Sequence, residues 1–231
     1  MALETVFLDA GGVLMYPNWW RISDALAAHS VSASPEILMK ADPVARRELD
    51  DRRVIGGTTD ASRGWLFFDL ILKHAGVMPS DGTRAALVDL HAYHTASNLW
   101  EYVPPDVVPA LEALRARDLR LVVVSNANGT LRAHMDRIDL TRRFDWVLDS
   151  ADEGVEKPDP RFFEIALARS GARKDTTIHV GDLYHVDVLG ARSAGLRGVM
   201  LDEADLRPDA DCPRVRSLDQ LVERIASGEF D

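Results

Sequence analysis

The stretch "VFLDAGGVL", residues 6–14, runs apolar through Val6, Phe7 and Leu8 and stops at Asp9. It then passes through Gly11 and Gly12 to a second apolar pair. A short apolar run that ends on a carboxylate and a flexible turn has the pattern of a buried strand whose C-terminal end opens onto a loop. Four more runs share the pattern: "LRLVVVSN" (119–126), "DWVLDS" (145–150), "TTIHVGD" (176–182) and "RGVMLD" (197–202). Each is short, apolar and rich in β-branched residues, as expected of strands covered on both faces.

Helical patterns separate the last four runs. In "DPRFFEIALARSG", Asp159 is the expected N-cap, Pro160 opens the helix and Gly171 follows its end. In "SLDQLVERIAS", Ser217 and Gln220 have the spacing of a capping box. Strands that alternate with helices predict an α/β fold with a parallel, Rossmann-like sheet. The spacing is uneven. About 110 residues separate the first strand from the second, whereas the later strands follow one another at the spacing of single βαβ units. Within the long gap, "DASRGWLFFDLILKHAG" and "GTRAALVDLHAYHTASN" carry apolar residues three and four apart, as amphipathic helices do. Pro17 lies near one end of the gap, and Pro104 and Pro105 near the other. Residues 17–100 are therefore expected to form an α-helical insertion, and 1–16 with 101–231 the α/β core.

The 231 residues carry a formal net charge of -10, and 46% of them are hydrophobic. That supports a packed core and excludes disorder. With no basic stripe, no nucleic-acid partner is expected. No apolar run reaches the roughly 18 residues of a membrane span. The N-terminal "MALETVFLDA" lacks the basic and apolar regions of a signal peptide. Cys212 is the single cysteine, so no intrachain disulfide forms, which suits a reducing cytoplasm.

Four short motifs fall at strand ends or in loops: Asp9; Ser125 with Asn126; Lys157 in "GVEKPDP"; and Asp182 with Asp187 in "HVGDLYHVD". In an open α/β sheet the carboxyl ends of the strands form the ligand-binding edge. A strand-end Asp is commonly a helix cap, a Ser-Asn pair a turn and a loop lysine a solvated charge. Together these residues form a chemical set. A carboxylate can attack phosphorus and split one difficult displacement into two. Clustered carboxylates repel one another unless a hard cation joins them, and Mg²⁺ favours one or two carboxylates plus a substrate phosphate. Lys157 and Ser125 offer a charge and a hydroxyl to a transferring phosphoryl group.

With its four motifs in order and a helical insertion after the first, the chain resembles the haloacid dehalogenase (HAD) superfamily, on its phosphatase side. "GVEKPDPRFFEIAL" followed by "HVGDLYHVDVLGARSAGL" carries the resemblance most specifically. It implies strand order 3-2-1-4-5, a helical cap domain at 17–100, and a small phosphorylated metabolite as substrate. It makes Asp9 the nucleophile and a Mg²⁺ ligand, Asp182 a second ligand, and the Gly11 carbonyl a third. Asp187 becomes an acidic partner at the metal, behind the ligands or through water. Ser125, Asn126 and Lys157 would hold the phosphoryl group. The number of subunits is left open between monomer and homodimer.

The chain departs from the family at one place. Gly11 stands where phosphatases carry a second Asp, the acid that protonates the leaving group and then activates water. Such a group contributes roughly 10²–10⁴ in rate. Three readings follow. The first is a phosphohydrolase that works on good leaving groups or borrows an acid such as His185. The second is a 2-haloacid dehalogenase, whose members also lack the second Asp but need no metal and no acidic pair like Asp182 and Asp187. The third is a binding protein without turnover. In the insertion, Trp20 and Arg21 of "YPNWWR" are candidate substrate contacts. "ARRELDDRR" (45–53) is expected to be an exposed charged face, and "IGGTT" (55–59) a hinge or loop.

Overall fold

The computed structural model describes residues 2–231. The chain forms two compact units, Met1–Leu14 with Val103–Asp231, and Met15–Tyr102. Strand β1 (Thr5–Leu8) opens the first. The second is helical throughout: α1 (Trp19–Ala28), α2 (Pro35–Leu49), α3 (Arg52–Gly57), α4 (Asp60–His74) and α5 (Asp81–Ser97). The chain then returns through α6 (Val107–Arg115), β2 (Arg120–Ser125), α7 (Leu131–Arg137), β3 (Trp146–Asp149), α8 (Ser150–Glu153) and α9 (Pro160–Ser170). It ends with β4 (Thr177–Gly181), α10 (Leu189–Ser193), β5 (Arg197–Leu201), β6 (Arg214–Val215) and α11 (Leu218–Ala226).

The strands form one parallel sheet in the order β3-β2-β1-β4-β5-β6. This is the order that the family resemblance implied, with a sixth strand added. Arg214–Val215 is too short to show a hydrophobic period. Successive residues of a strand face opposite sides of the sheet. Phe7, Val122 and Val124 pack against Phe162 and Phe163 of α9 and Ala191 of α10. The intervening Leu121 and Val123 are equally buried, and α6 packs on β2 and against α11. A fully buried Phe or Leu contributes about 1.5–3 kcal/mol, so these layers hold the strand ends rigidly.

Helix α9 is capped as expected. The Asp159 side chain accepts from Arg161 N–H, Pro160 follows, and Gly171 closes the helix with a left-handed backbone. At α11 the expected box is altered. Ser217 accepts from Gln220 N–H, but Gln220 Oε1 accepts from Arg216 N–H rather than from the N–H of the cap itself.

In the helical unit, Trp19, Ile22, Leu38, Ile71 and Leu90 share one apolar core. Its two chain ends pair through Tyr16 and Tyr102, each donating its N–H to the other's carbonyl, at 2.8 and 3.0 Å. Asn18 and Arg21 both donate to Glu101 Oε1 across the same ends. Two expectations need correction here. "IGGTT" is a loop only at Thr58 and Thr59: Ile55, Gly56 and Gly57 finish α3, and Thr59 caps α4. The 45–53 stretch is not an even exposed face either. Ala45, Leu49 and Asp50 are buried, and Arg46 turns back to pair with buried Asp42 one helical turn away. Among the described residues, no helix is long and apolar enough to cross a membrane.

Candidate active site

Asp9 directly follows β1, and β1 lies between β2 and β4. Its N–H bonds the carbonyl of Val180 at 2.9 Å, so the neighbouring strand fixes its backbone. The turn that follows takes a left-handed backbone at Gly12, with φ 76°. Asp9 caps no helix. Its Oδ1 accepts two donors, Ala10 N–H at 2.8 Å and Lys157 Nζ at 3.0 Å.

Lys157 comes from the loop between α8 and α9, and its side chain is fully buried. Asn126 clamps this loop from the end of β2. The Asn126 side chain accepts from Lys157 N–H at 2.7 Å and donates to the Lys157 carbonyl at 3.0 Å. Both ends of the Asn126 amide therefore serve the peptide of Lys157. The Lys157 ammonium also bonds Asp187 Oδ1, at 2.7 Å. Burial alone would lower the lysine pKa, but the charges of Asp187 and Asp9 outweigh it and hold the group above its ordinary value.

Asp187 lies in a single wide π-helical turn, Tyr184–Val188, a geometry common at functional sites. It is fully buried. Besides Lys157, Oδ1 accepts from His179 Nε2 at 3.0 Å, and Oδ2 accepts from Leu183 N–H at 3.0 Å. Burial pushes this carboxyl upward, and the neighbouring Lys157 charge overrides it, holding it well below the usual carboxylate range. Asp182 follows β4 and is half-buried. Asp9, Asp182 and Asp187 each present an oxygen, all within 4.8 Å of one another.

Ser125 ends β2 and is buried. Trp20 and Arg21 lie on α1 of the helical unit. Trp20 meets Tyr102 edge-on, and the Arg21 guanidinium lies 3.7 Å from the centre of the Tyr93 ring while bonding Glu101. The sheet edge thus brings together Asp9, Lys157, Asn126, Asp182 and Asp187, with Ser125 ending the adjacent strand.

The pattern of the haloacid dehalogenase-like hydrolases matches residues 3–195. The chain belongs to that family. It is similar to the ribulose-1,5-bisphosphate 5-phosphatase of Halopiger xanaduensis, with 34% identity over 171 residues, covering 72% of this chain and 70% of the relative. Among solved structures, YfnB from Bacillus subtilis, bound to magnesium, shares the fold with a TM-score of 0.69 at 17% identity, over 97% of this chain and 99% of that one. A 2-haloacid dehalogenase from Pseudomonas syringae superposes with a TM-score of 0.60 at 26% identity, over 98% and 99%. The chain is accordingly a HAD-like hydrolase with a helical insertion in its α/β core.

Three residues of this HAD site escaped the sequence reading. Asp149, at the end of β3, accepts from the N–H groups of Gly129, Leu131 and Ala151. Ser150 Oγ accepts from Ala127 N–H at 3.0 Å and donates to its carbonyl at 3.2 Å. Together they fix the loop that follows Ser125 and Asn126. Asp149 repeats the strand-end carboxylate seen at Asp9, so a signal for it was present. The third, His179, lies inside β4 between apolar neighbours and looks like a core residue in sequence.

Gly181 shows how tightly Asp187 is seated. A Cβ there would lie 2.1 Å from Asp187 Cγ and 2.3 Å from its Cβ. Asp187 has no slack, because three donors hold it. Gly181→Ala is expected to cost about 1–3 kcal/mol of stability and most of the activity, measured by thermal melting and by turnover. Unchanged values in both would mean that the wide turn shifts freely.

Proposed function

We propose that the chain is a Mg²⁺-dependent phosphohydrolase of a small phosphorylated metabolite, working through a phospho-aspartate at Asp9. One observation carries the reading: three carboxylates offer oxygens within 4.8 Å of one another, with one buried ammonium, Lys157, set against two of them. This excess of negative charge suits a divalent cation that prefers oxygen ligands. Asp9, Asp182 and the Gly11 carbonyl would hold it. Asp187, whose oxygens already serve Lys157, His179 and Leu183, would stand behind them. Bound there, such an ion would supply positive charge to a phosphoryl oxygen. Relatives named as phosphatases support the reaction class.

Both donors to Asp9 bind Oδ1, which leaves Oδ2 for attack. In the first step the Oδ2–P bond forms and the bond from phosphorus to the leaving oxygen breaks, that oxygen keeping the electron pair. In the second, water attacks phosphorus and releases a proton to bulk solvent, and the P–Oδ2 bond breaks, its electron pair returning to the carboxylate as inorganic phosphate leaves. Lys157 has three N–H donors and uses two on carboxylates, so the third can meet a phosphoryl oxygen alongside the Ser125 hydroxyl. Asn126 acts by holding the Lys157 peptide. The helical unit serves as the cap that selects the substrate, with Trp20 and Arg21 as its contacts. The cytoplasm is the expected setting.

Gly11 supplies no acid, so leaving groups that depart unprotonated, such as acyl and aryl phosphates, are the favoured substrates. The left-handed backbone of the turn sits at Gly12. Gly11→Asp is expected to raise turnover of an alkyl phosphate by about tenfold or more while changing an aryl phosphate little. An unchanged alkyl-to-aryl ratio in the folded variant would show that another residue, such as His185, already acts as the acid.

Similarity to a 2-haloacid dehalogenase, together with Gly11, favours a second reading, attack of Asp9 on carbon with release of halide. The acidic cluster opposes it, because without a cation it would repel a carboxylate substrate. Phosphate release from sugar, acyl, nucleotide and aryl phosphates, with and without Mg²⁺, is measured beside chloride release from 2-chloropropionate. Magnesium-dependent phosphate release supports the proposal. Metal-independent chloride release overturns it, and no turnover in any arm favours a binding protein.

A further inference from the structure

His179 is fully buried in the middle of β4, with Ile178 and Val180 on either side. One ring nitrogen, Nδ1, has no hydrogen-bond partner among the described residues. Buried polar atoms are nearly always satisfied, and an exception calls for a reason. An apolar residue would fill a strand core without leaving a polar atom unsatisfied. The other nitrogen supplies the reason. Nε2 lies 3.0 Å from Asp187 Oδ1, and a carboxylate only accepts, so Nε2 carries the hydrogen. Phe163 meets the ring edge-on with centroids 4.9 Å apart and fixes its plane.

The bond matters because of what Asp187 holds in turn. Its Oδ1 also takes Lys157 Nζ, which reaches Asp9. Its Oδ2 takes the N–H of Leu183, the peptide immediately after Asp182. The orientation of one carboxylate therefore sets both residues proposed to face the cation, Asp9 through the ammonium and Asp182 through the backbone. Gly181 leaves space for that carboxylate on the same side of the strand as His179.

We infer that His179 is a positioning residue for magnesium: its Nε2–H locks the rotation of Asp187, and through it the spacing of Asp9 and Asp182. The inference rests on the magnesium site proposed above. Groups behind a metal's ligands change metal affinity by roughly 10–100-fold when removed.

The test compares Mg²⁺ binding by calorimetry to the wild-type chain, to His179→Leu and to His179→Gln. Leucine fills the space and removes the donor, whereas the glutamine amide places an N–H close to the position of Nε2. The expected result is a 10–100-fold weaker affinity for H179L and a largely restored one for H179Q, with all three melting cooperatively. The apparent Mg²⁺ constant for turnover moves in parallel, while substrate KM at saturating Mg²⁺ stays nearly constant. Equal affinity in the wild type and H179L overturns the inference and leaves the magnesium site standing. Equal loss in H179L and H179Q also overturns it, because packing of the ring would then be the cause. Should H179L not fold, the inference is judged on H179Q, which must keep wild-type affinity. A wild-type chain that binds no Mg²⁺ overturns the site itself and this inference with it.

Discussion

Lys157→Met is expected to lower stability by about 3–5 kcal/mol and to abolish turnover. Methionine keeps the length and fills the space, so the loss isolates the charge. Lys157 is fully buried, and its ammonium lies 2.7 Å from Asp187 and 3.0 Å from Asp9. Without it, Asp187 remains buried and charged with only His179 and Leu183 N–H as donors. Breaking a buried ion pair by removing one partner costs roughly 3–5 kcal/mol, because the other charge is left uncompensated. Domains of this kind are stable by about 5–15 kcal/mol in total, so the effect is large. Urea unfolding measures it. A Lys157→Met variant as stable as the wild type would mean that Asp187 takes up a proton at little cost or that water reaches it. Added Mg²⁺ is expected to recover part of the lost stability, since it supplies positive charge to the same carboxylates.

The frame of this site was legible because it follows from chain-local rules. Apolar β-branched runs marked the strands, and Asp159, Pro160 and Gly171 marked a helix whose caps are found as written. Asp9 stood out because a buried strand ended on a charge. Other features depend on partners distant in sequence, which no local pattern reveals. Lys157 reads as an ordinary loop lysine. Its burial is decided by Asp9, Asp187 and Asn126, which lie 148, 30 and 31 positions away. His179 was hidden for the opposite reason, since its neighbours in β4 are apolar and its partner Asp187 lies in the next turn. In the helical unit, Gly56 and Gly57 have the composition of a loop, but the preceding turn, capped by Asp51, carries them into α3. Propensity is a weak prior where a cap and packing favour a helix.

Asp9→Asn carries the largest kinetic effect expected here, a loss on the order of 10⁴-fold or more in kcat, or about 5.5 kcal/mol of barrier. An amide attacks phosphorus poorly and offers the cation no full charge. Asparagine nearly matches aspartate in shape, and Lys157 keeps its bond to Asp187, so the fold is expected to survive. Phosphate release at saturating Mg²⁺, beside a melting curve, separates lost chemistry from lost structure. A folded Asp9→Asn variant that retains most of its activity would remove Asp9 from the mechanism.

The most direct measurement is to trap the covalent intermediate. With Gly11 in place of an acid/base, hydrolysis of a phospho-aspartate is expected to be slow relative to its formation from an activated donor, and the intermediate to accumulate. The protein is mixed with acetyl phosphate and Mg²⁺, quenched in acid within the first turnover, digested and mapped by mass spectrometry. A phospho-aspartate mechanism at Asp9 requires one phosphoryl group on the peptide that contains Asp9, absent without Mg²⁺ and absent in Asp9→Asn. Phosphate released at full rate by the Asp9→Asn variant, or a phosphoryl group found on any other residue, would contradict it.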